Sequence, residues 1–591
     1  MQISLQKQLL TMKKNRSKLH TFVITIILSL ITLVGIVLRL ANLSPFKFYP
    51  DSYQNLIVAE NIRTYHNVVG FLGPQGMLYP DFFTWTHPLY PLLINLGSLF
   101  IPDTTFVARL ISFLAGVITI PLTFFFIKSV FRSITYALAG AFLLAFSFNH
   151  TIWSGFIMTE TVGILFMLFF LWFLFLSISS KTRFASPSNI LTGILFCGAV
   201  LTRYEYIIML FPVIFLVIKL SPHPFRYLTN LIATFFLGLV TIGIILYPWQ
   251  STLYVIIEQS QNLLQRIGLI VILFLLIYSL MYILSQKFKH KLFQALPQFI
   301  TGLLCIFALY ICLQMLGIVG LPFLWNDLSF VRNFVQHDFL ISIFALIGFI
   351  LLLLQNAQLR VFGYFSLLCI LFLGVLYHRT NPDMERYLTH LLPFLLIPAS
   401  YAFGKIVQYL LSFKLGRKYV SFLKITKQSI LILALSIILL LQAKSTFFGL
   451  RYLNDSSWYH LSYEEQAALE VKKYIAKSCT SNQSCEPLIL AAFPEPYFYI
   501  LHHTTYSITD TYPYIYIPDS LNKKHIVIIE DMGMRDIFPS LASFLEENLQ
   551  AYRMDELKIN ENYHYANRSE KATQPLNIYD ITLGELKEKI K

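Results

Sequence analysis

Asp51 and Glu160 are the acids best placed to do chemistry in this chain, and an imidazole and two guanidiniums stand in comparable positions. Asp51 lies in Phe48-Tyr49-Pro50-Asp51-Ser52-Tyr53, shortly after the first long apolar run. Two readings fit it. It is the N-cap of the helix that follows, accepting hydrogen bonds from the amides two and three residues on. Alternatively it is a general base that removes a proton from an acceptor hydroxyl. Glu160, in Met158-Thr159-Glu160-Thr161, opens another apolar run. There Thr159 can cap and a first-turn acid suits the helix dipole. An ionisable group at the edge of a hydrocarbon region is nevertheless costly and marks function by default.

His87 opens His87-Pro88-Leu89-Tyr90-Pro91, with Asp81 upstream. Pro88 suits a first helical turn, so His87 either marks a helix entry or donates a hydrogen bond to a sugar or a phosphate. Carboxylates and an imidazole also suit a divalent cation, but no spacing here is diagnostic, and no metal ligand set is assigned. The segment Tyr377-His378-Arg379-Thr380-Asn381-Pro382-Asp383-Met384-Glu385-Arg386-Tyr387 leads into an apolar run. Snorkelling to headgroups explains one arginine there cheaply. Two in one short loop, Arg379 and Arg386, fit capture of a phosphate by guanidinium forks. Arg203 is a third candidate for phosphate. Glu205 and Asp327 read as loop or short-helix acids within reach of solvent.

The elements that must position these residues are membrane helices. Of the 591 residues, 56% are hydrophobic and 13% are charged, against roughly 45–50% and about 25% in soluble domains. This is an integral membrane protein. Residues 1–20 form a basic leader containing Lys13, Lys14, Arg16 and Lys18, and Thr21 to Leu40 is the first span. Twenty helical residues cover roughly 30 Å, enough to cross a bilayer, and no small-residue cleavage site follows. The positive-inside rule puts the leader in the cytoplasm and Asp51 on the opposite face. A carboxylate there has no cytosolic nucleotide donor, so an activated substrate would arrive through the bilayer on a lipid.

The formal charge of +14 does not indicate nucleic acid. Basic residues gather in short gaps between apolar runs: Lys128 and Arg132, Lys181 and Arg183, Lys219 and Arg226, Lys287 to Lys291, and Lys414 to Lys427. This is topology-setting charge. Further spans are expected at 106–127, 134–149, 160–180, 228–248, 267–286, 297–317, 339–354, 360–377, 389–412 and 429–446, with a partly crossing hairpin between 188 and 218. That gives about thirteen helices and a C-terminus outside. Residues 42–103 are the first outer loop, with interfacial helices at Ser52 to Tyr65 and Leu89 to Phe100.

Residues 447–591 change composition and read as a small extracytoplasmic α/β domain with a largely parallel sheet. A helix is expected at Ser462 to Lys477, strands at Pro487 to Phe493 and His525 to Ile529, and helices at Pro496 to His502 and Arg535 to Leu549. No Gly-rich phosphate loop follows either strand, so a nucleotide site there is unsupported. Cys197, Cys305, Cys312 and Cys369 read as buried hydrophobes, whereas Cys479 and Cys485 stand in the polar region and are placed to form a disulfide loop.

The order of Tyr49-Pro50-Asp51, Tyr79…His87-Pro88-Leu89-Tyr90, Glu160 and Arg386-Tyr387-Leu388…Leu392-Pro393 resembles the GT-C superfamily of membrane glycosyltransferases. That group includes protein O-mannosyltransferases and the aminoarabinose transferase of lipid A. The resemblance covers about residues 20–446 in topology. It implies an inverting transfer of a sugar from a polyprenyl-phosphate carrier to an extracytoplasmic protein, lipid or cell-envelope glycan at the plasma membrane. Asp51 would be the base, Glu160 would orient sugar or acceptor, and His87, Arg379, Arg386 and Tyr387 would hold substrate and lipid phosphate. Many relatives carry a second acid directly after the loop aspartate. Here Ser52 takes that place, which weakens any paired-carboxylate mechanism or divalent-cation site at Asp51. The rival reading is a transporter of a lipid-linked saccharide, which predicts pseudo-symmetric halves and charges near the bilayer midplane.

Overall fold

A computed structural model of the chain describes residues 2–41, 50–65, 87–179, 187–245, 334–378, 385–411, 463–478, 487–491, 505–507, 525–530, 539–563, 570–582 and 584–586, with Ser429, Ser436, Leu440 and Gln442. The chain forms two compact units. One comprises Met1–Leu38, Leu114–Trp153 and Thr159–Thr446; the other comprises Arg39–Phe113, Ser154–Met158 and Phe447–Lys591.

The first unit is helical. Among the described residues, four helices are long and apolar enough to cross a membrane: Thr21–Ala41, Thr104–Phe131, Glu160–Ile178 and Arg386–Leu410. Shorter apolar helices include Ile134–Ala145, Pro187–Thr202, Phe339–Leu353 and Ala357–Leu373. The Thr21–Ala41 segment buries almost none of its apolar side chains, which is what a lipid-facing helix does. The expected spans at 267–286, 297–317 and 429–446 lie outside the described helices. The expected hairpin at 188–218 is resolved as Pro187–Thr202, a 3-10 turn Tyr204–Met209 and Leu210–Leu220.

Close helix approach depends on small residues, as is general in membranes. Helix Phe339–Leu353 runs against Leu392–Leu411, and a Cβ at Gly348 would stand 1.9 Å from the carbonyl oxygen of Pro398. On the other side of that helix, a Cβ at Gly140 would stand 2.6 Å from Ser400 Oγ. Only a hydrogen fits at either point.

Asp338 caps a neighbouring element instead of its own helix. One oxygen accepts from the Phe148 amide at 2.8 Å. The other accepts from Asn149 Nδ2 at 2.9 Å, the Asn149 amide at 3.3 Å and Ser147 Oγ at 3.1 Å. These are the orphan donors at the start of helix Phe148–Trp153, a place where a carboxylate is favoured. Gln442 fastens the same corner, donating to Phe146 O at 3.2 Å and His337 O at 3.1 Å.

In the second unit, helix Pro50–Tyr65 buries Tyr53, Leu56, Ile57 and Ile62. Helix Leu89–Ser98 begins directly after Pro88, and Tyr90 anchors it: its hydroxyl donates to Ala108 O at 3.0 Å and meets Ser112 Oγ at 2.8 Å.

The unit also holds a five-stranded sheet of order β2-β1-β3-β5-β4, where β1 is Leu488–Ala491, β2 Thr505–Ser507, β3 His525–Glu530, β4 Arg553–Tyr563 and β5 Glu570–Thr582. Strands β1, β2 and β3 are parallel, but β3 pairs β5 and β5 pairs β4 antiparallel. The sheet is therefore mixed, which corrects the expectation of a largely parallel one. The last two strands pair along most of their length, and the end of β5 buries Leu576, Ile578, Tyr579 and Ile581. Helix Tyr463–Ser478 lays Ala467, Ala468, Val471 and Ile475 against Val527, Ile529, Leu576 and Ile578.

Glu530, fully buried at the end of β3, accepts from Tyr579 Oη at 2.6 Å and Asn577 Nδ2 at 3.0 Å. Burial, and then the bond to Glu530, push the Tyr579 phenol well above its ordinary range. Both groups read as satisfied structural polars.

Asp338→Ala leaves several buried donors of the 147–149 corner without an acceptor. A loss of about 3 kcal/mol or more is expected, seen as a lower unfolding temperature of the purified protein in detergent. An unchanged temperature contradicts the capping role.

Candidate active site

A buried polar cluster lies within the first unit. Glu160 is the first residue of helix Glu160–Ser179 and is 0% exposed. Its Oε1 accepts a hydrogen bond from the Arg203 guanidinium, which is itself 5% exposed. The same guanidinium lies 3.7 Å from Glu205 Oε1. Arg203 thus stands between two carboxylates, as desolvated acids require.

Local backbone geometry explains how it reaches them. Arg203 joins helix Pro187–Thr202 to the 3-10 turn Tyr204–Met209 with φ −156° and ψ 104°. One extended residue between two helical pieces turns its side chain out of the helical track. Gly163, one turn into the Glu160 helix, lets this segment close in: a Cβ there would lie 3.3 Å from Tyr206 Cε2 and 3.4 Å from Arg203 Cγ.

The short turn Glu385–Leu388 brings the remaining groups. The Arg386 guanidinium lies 4.9 Å from the Tyr387 ring centre and donates to Tyr387 Oη at 3.0 Å. Arg203 lies 5.4 Å from the same ring centre. One tyrosine ring therefore carries two guanidiniums, a cation–π arrangement that holds both charges near each other despite their repulsion. In the following turn Thr389–Leu391, His390 Nδ1 meets Tyr206 Oη at 2.8 Å, with the rings edge to face.

Of the residues singled out from sequence, Glu160, Arg386 and Tyr387 are brought together. Asp51 and His87 belong to the second unit. Helix Pro50–Tyr65 begins one residue before Asp51, so this aspartate sits in the first turn and not at the N-cap; its side chain lies outside the described residues. His87 is half-buried immediately before Pro88. Arg379, Asp81, Asp327, Cys479 and Cys485 lie outside the described residues. Among the described residues, no group of three His, Cys, Asp or Glu side chains is arranged to hold a metal ion.

A family model for dolichyl-phosphate-mannose-protein mannosyltransferases matches residues 86–251, a range that contains His87, Glu160, Arg203 and Glu205. No curated protein matches the chain in sequence. Solved structures do match in fold. ArnT from Cupriavidus metallidurans in the apo state has a TM-score of 0.52 at 12% identity, covering 94% of this chain and 98% of that one. ArnT bound to undecaprenyl phosphate has a TM-score of 0.52 at 13% identity, covering 93% and 97%. The Archaeoglobus fulgidus oligosaccharyltransferase, tethered with an acceptor peptide containing the NVT sequon, has a TM-score of 0.54 at 12% identity, covering 89% and 70%. The chain shares the fold of ArnT and of the archaeal oligosaccharyltransferase.

Within this fold, Arg203 and Glu205 stand with Glu160; Glu205 lies on the short 3-10 helix with its side chain 21% exposed, and it faces Arg203. Tyr206, Thr389 and His390 were missed from sequence. Tyr206 directly follows Glu205, and Thr389 and His390 are neighbours just after Arg386-Tyr387-Leu388. The one available signal was the Thr202-Arg203-Tyr204-Glu205 interruption, which breaks an otherwise apolar run.

Arg203→Met leaves Glu160 buried without its cation and should cost about 3–5 kcal/mol. The double variant Glu160→Gln/Arg203→Met should recover most of that loss. Thermal unfolding of the three proteins in detergent checks this; equal stability of the wild type and Arg203→Met would remove the pair as a structural requirement.

Proposed function

We propose that this protein is a glycosyltransferase that moves a sugar from a polyprenyl-phosphate carrier to an acceptor outside the cytoplasm. The observation that carries the reading is the Arg203–Tyr387–Arg386 stack beside a fully buried Glu160. Paired guanidiniums at the start of a membrane helix suit a lipid phosphate, and neighbouring carboxylates suit the hydroxyls of a sugar. The match to the mannosyltransferase family model and the fold of an undecaprenyl-phosphate-bound structure support the same assignment.

In this mechanism the acceptor hydroxyl gives its proton to the Asp51 carboxylate as its oxygen forms a bond to the anomeric carbon. The bond from that carbon to the phosphate oxygen breaks, and the polyprenyl phosphate leaves with the electron pair. Configuration inverts. Arg386, with Arg379 in the preceding loop, offsets the charge that grows on the leaving phosphate, and such stabilisation is usually the largest catalytic contribution. Glu160 orients the sugar, Tyr387 fixes the two guanidiniums, and His87 donates to sugar or phosphate.

The chain resides in the plasma membrane with residues 1–20 cytoplasmic and residues 447–591 as an extracytoplasmic domain. Residues 21–446 form the catalytic region, including the first outer loop 42–103.

Asp51→Asn keeps size and helix position but removes the base. Transfer from a polyprenyl-phosphate sugar in membranes should fall roughly 10²–10⁴-fold while the protein stays folded. Near-normal transfer by the folded variant would sink the assignment.

A further inference from the structure

We propose that the end of the helical unit remote from Glu160 binds the phosphate of an anionic phospholipid, through Arg132, Lys405, Lys128 and Arg360. The site is separate from the polar cluster and independent of sugar transfer.

An aromatic knot fixes the place. The ring centres of Phe131 and Tyr136 are 5.5 Å apart, those of Phe131 and Tyr401 5.4 Å, and those of Tyr136 and Tyr401 5.3 Å. Phe362 lies 5.8 Å from Phe131 and 5.6 Å from Phe175. Phe175 is about four turns, roughly 22 Å, along its helix from Glu160, so the knot stands near the opposite end of the bundle.

Four exposed cations flank the knot. Lys128 and Arg132 lie at the end of helix Thr104–Phe131, and Arg360 precedes Phe362 by two residues. Lys405 Nζ stands 5.6 Å from the Tyr401 ring centre. Two hydrogen bonds hold the seam: Tyr136 Oη donates to Gln408 Oε1 at 3.0 Å, and Gln408 Nε2 donates to Ser133 Oγ at 3.4 Å. Arg132 is thereby set beside the helix that carries Lys405.

Topology accounts for basic residues at this end, but not for their arrangement. Arg132 has φ 53° and is the only non-glycine residue with a positive φ among the described residues. Its amide donates to Lys128 O at 2.8 Å, closing the helix in the left-handed conformation. Glycine takes that conformation without strain, so an arginine is kept there against a backbone cost. Lys405 lies within the span Arg386–Leu410, with its stem along an aromatic surface as in snorkelling lysines. The stretches that carry the four cations, 104–159, 339–382 and 386–454, contain no Asp or Glu. Among the described residues none of the four pairs with a carboxylate. Their counter-charge comes from outside the chain, and at the depth of lipid headgroups phosphate is the anion that guanidinium forks and ammoniums meet.

Native mass spectrometry of the full chain in detergent tests this, with phosphatidylglycerol and phosphatidylcholine of the same acyl chains. The wild type should bind phosphatidylglycerol at least about tenfold more tightly. Arg132→Gly relieves the backbone and keeps the turn, yet should cut that preference about fivefold; Lys405→Gln should do the same. Lys13→Gln/Lys14→Gln removes two cations from the leader and should leave the preference unchanged. Inorganic phosphate in large excess should not displace the lipid.

Equal binding of the two lipids by the wild type overturns the proposal, without dependence on how any variant folds. An unchanged preference in folded Arg132→Gly/Lys405→Gln also overturns it. So does a loss in the leader variant as large as in that double variant, since general attraction to basic charge would then explain the binding. Displacement by inorganic phosphate would assign the site to the free ion and overturn the lipid assignment.

Discussion

A carboxylate removed from water inside an apolar bundle must be compensated where it stands, and Glu160 sets that condition here. Its partner Arg203 has to come from another segment and has to arrive side chain first. The chain achieves this by interrupting a membrane helix with one extended residue, and by keeping Gly163 small so that the interruption can approach. Once Arg203 is fixed between Glu160 and Glu205, its outer face is available to the Tyr387 ring, and Arg386 is held on the same ring. Tyr206 and His390 close the same seam by a hydrogen bond between segments far apart in sequence. Breaking one ion pair would therefore disturb four elements.

The arrangement separates two chemistries over a short distance. Guanidiniums around an aromatic ring offer rigid donors and positive charge, which is what a phosphate needs. The carboxylates behind Arg203 offer acceptors and negative charge, which is what hydroxyls need. A lipid-linked sugar phosphate carries both requirements in one molecule, joined at the bond to be broken. Within the first unit, the corner fastened by Asp338 gives helix Phe148–Trp153 a fixed start with ordinary hydrogen bonds.

Much of this was legible in the sequence because hydrocarbon makes charges conspicuous. Glu160, Arg386 and Tyr387 stood out as polar residues at the ends of apolar runs, and the structure joins them. Arg203 and Glu205 were harder to place, since the sidedness of an interrupted hairpin does not follow from hydropathy. Tyr206, Thr389 and His390 were not singled out, because a polar residue beside an apolar run looks the same whether it faces a partner or a neighbouring helix. The sheet was read in part. Its buried strands β1 and β3 are short apolar runs, whereas β4 and the first half of β5 are mostly polar, and the buried Leu576, Ile578 and Ile581 alternate with Asn577 and Asp580. Only that last alternating stretch carries a local strand signal.

The proposed sugar transfer breaks the bond between carrier phosphate and sugar. The direct measurement is mass spectrometry of the lipid products after the purified chain, in proteoliposomes, meets a polyprenyl-phosphate sugar and an envelope extract containing acceptors. One free polyprenyl phosphate is expected for each sugar found on an acceptor. Passage of intact lipid-linked sugar across the bilayer, with no free polyprenyl phosphate formed for any donor, would contradict it.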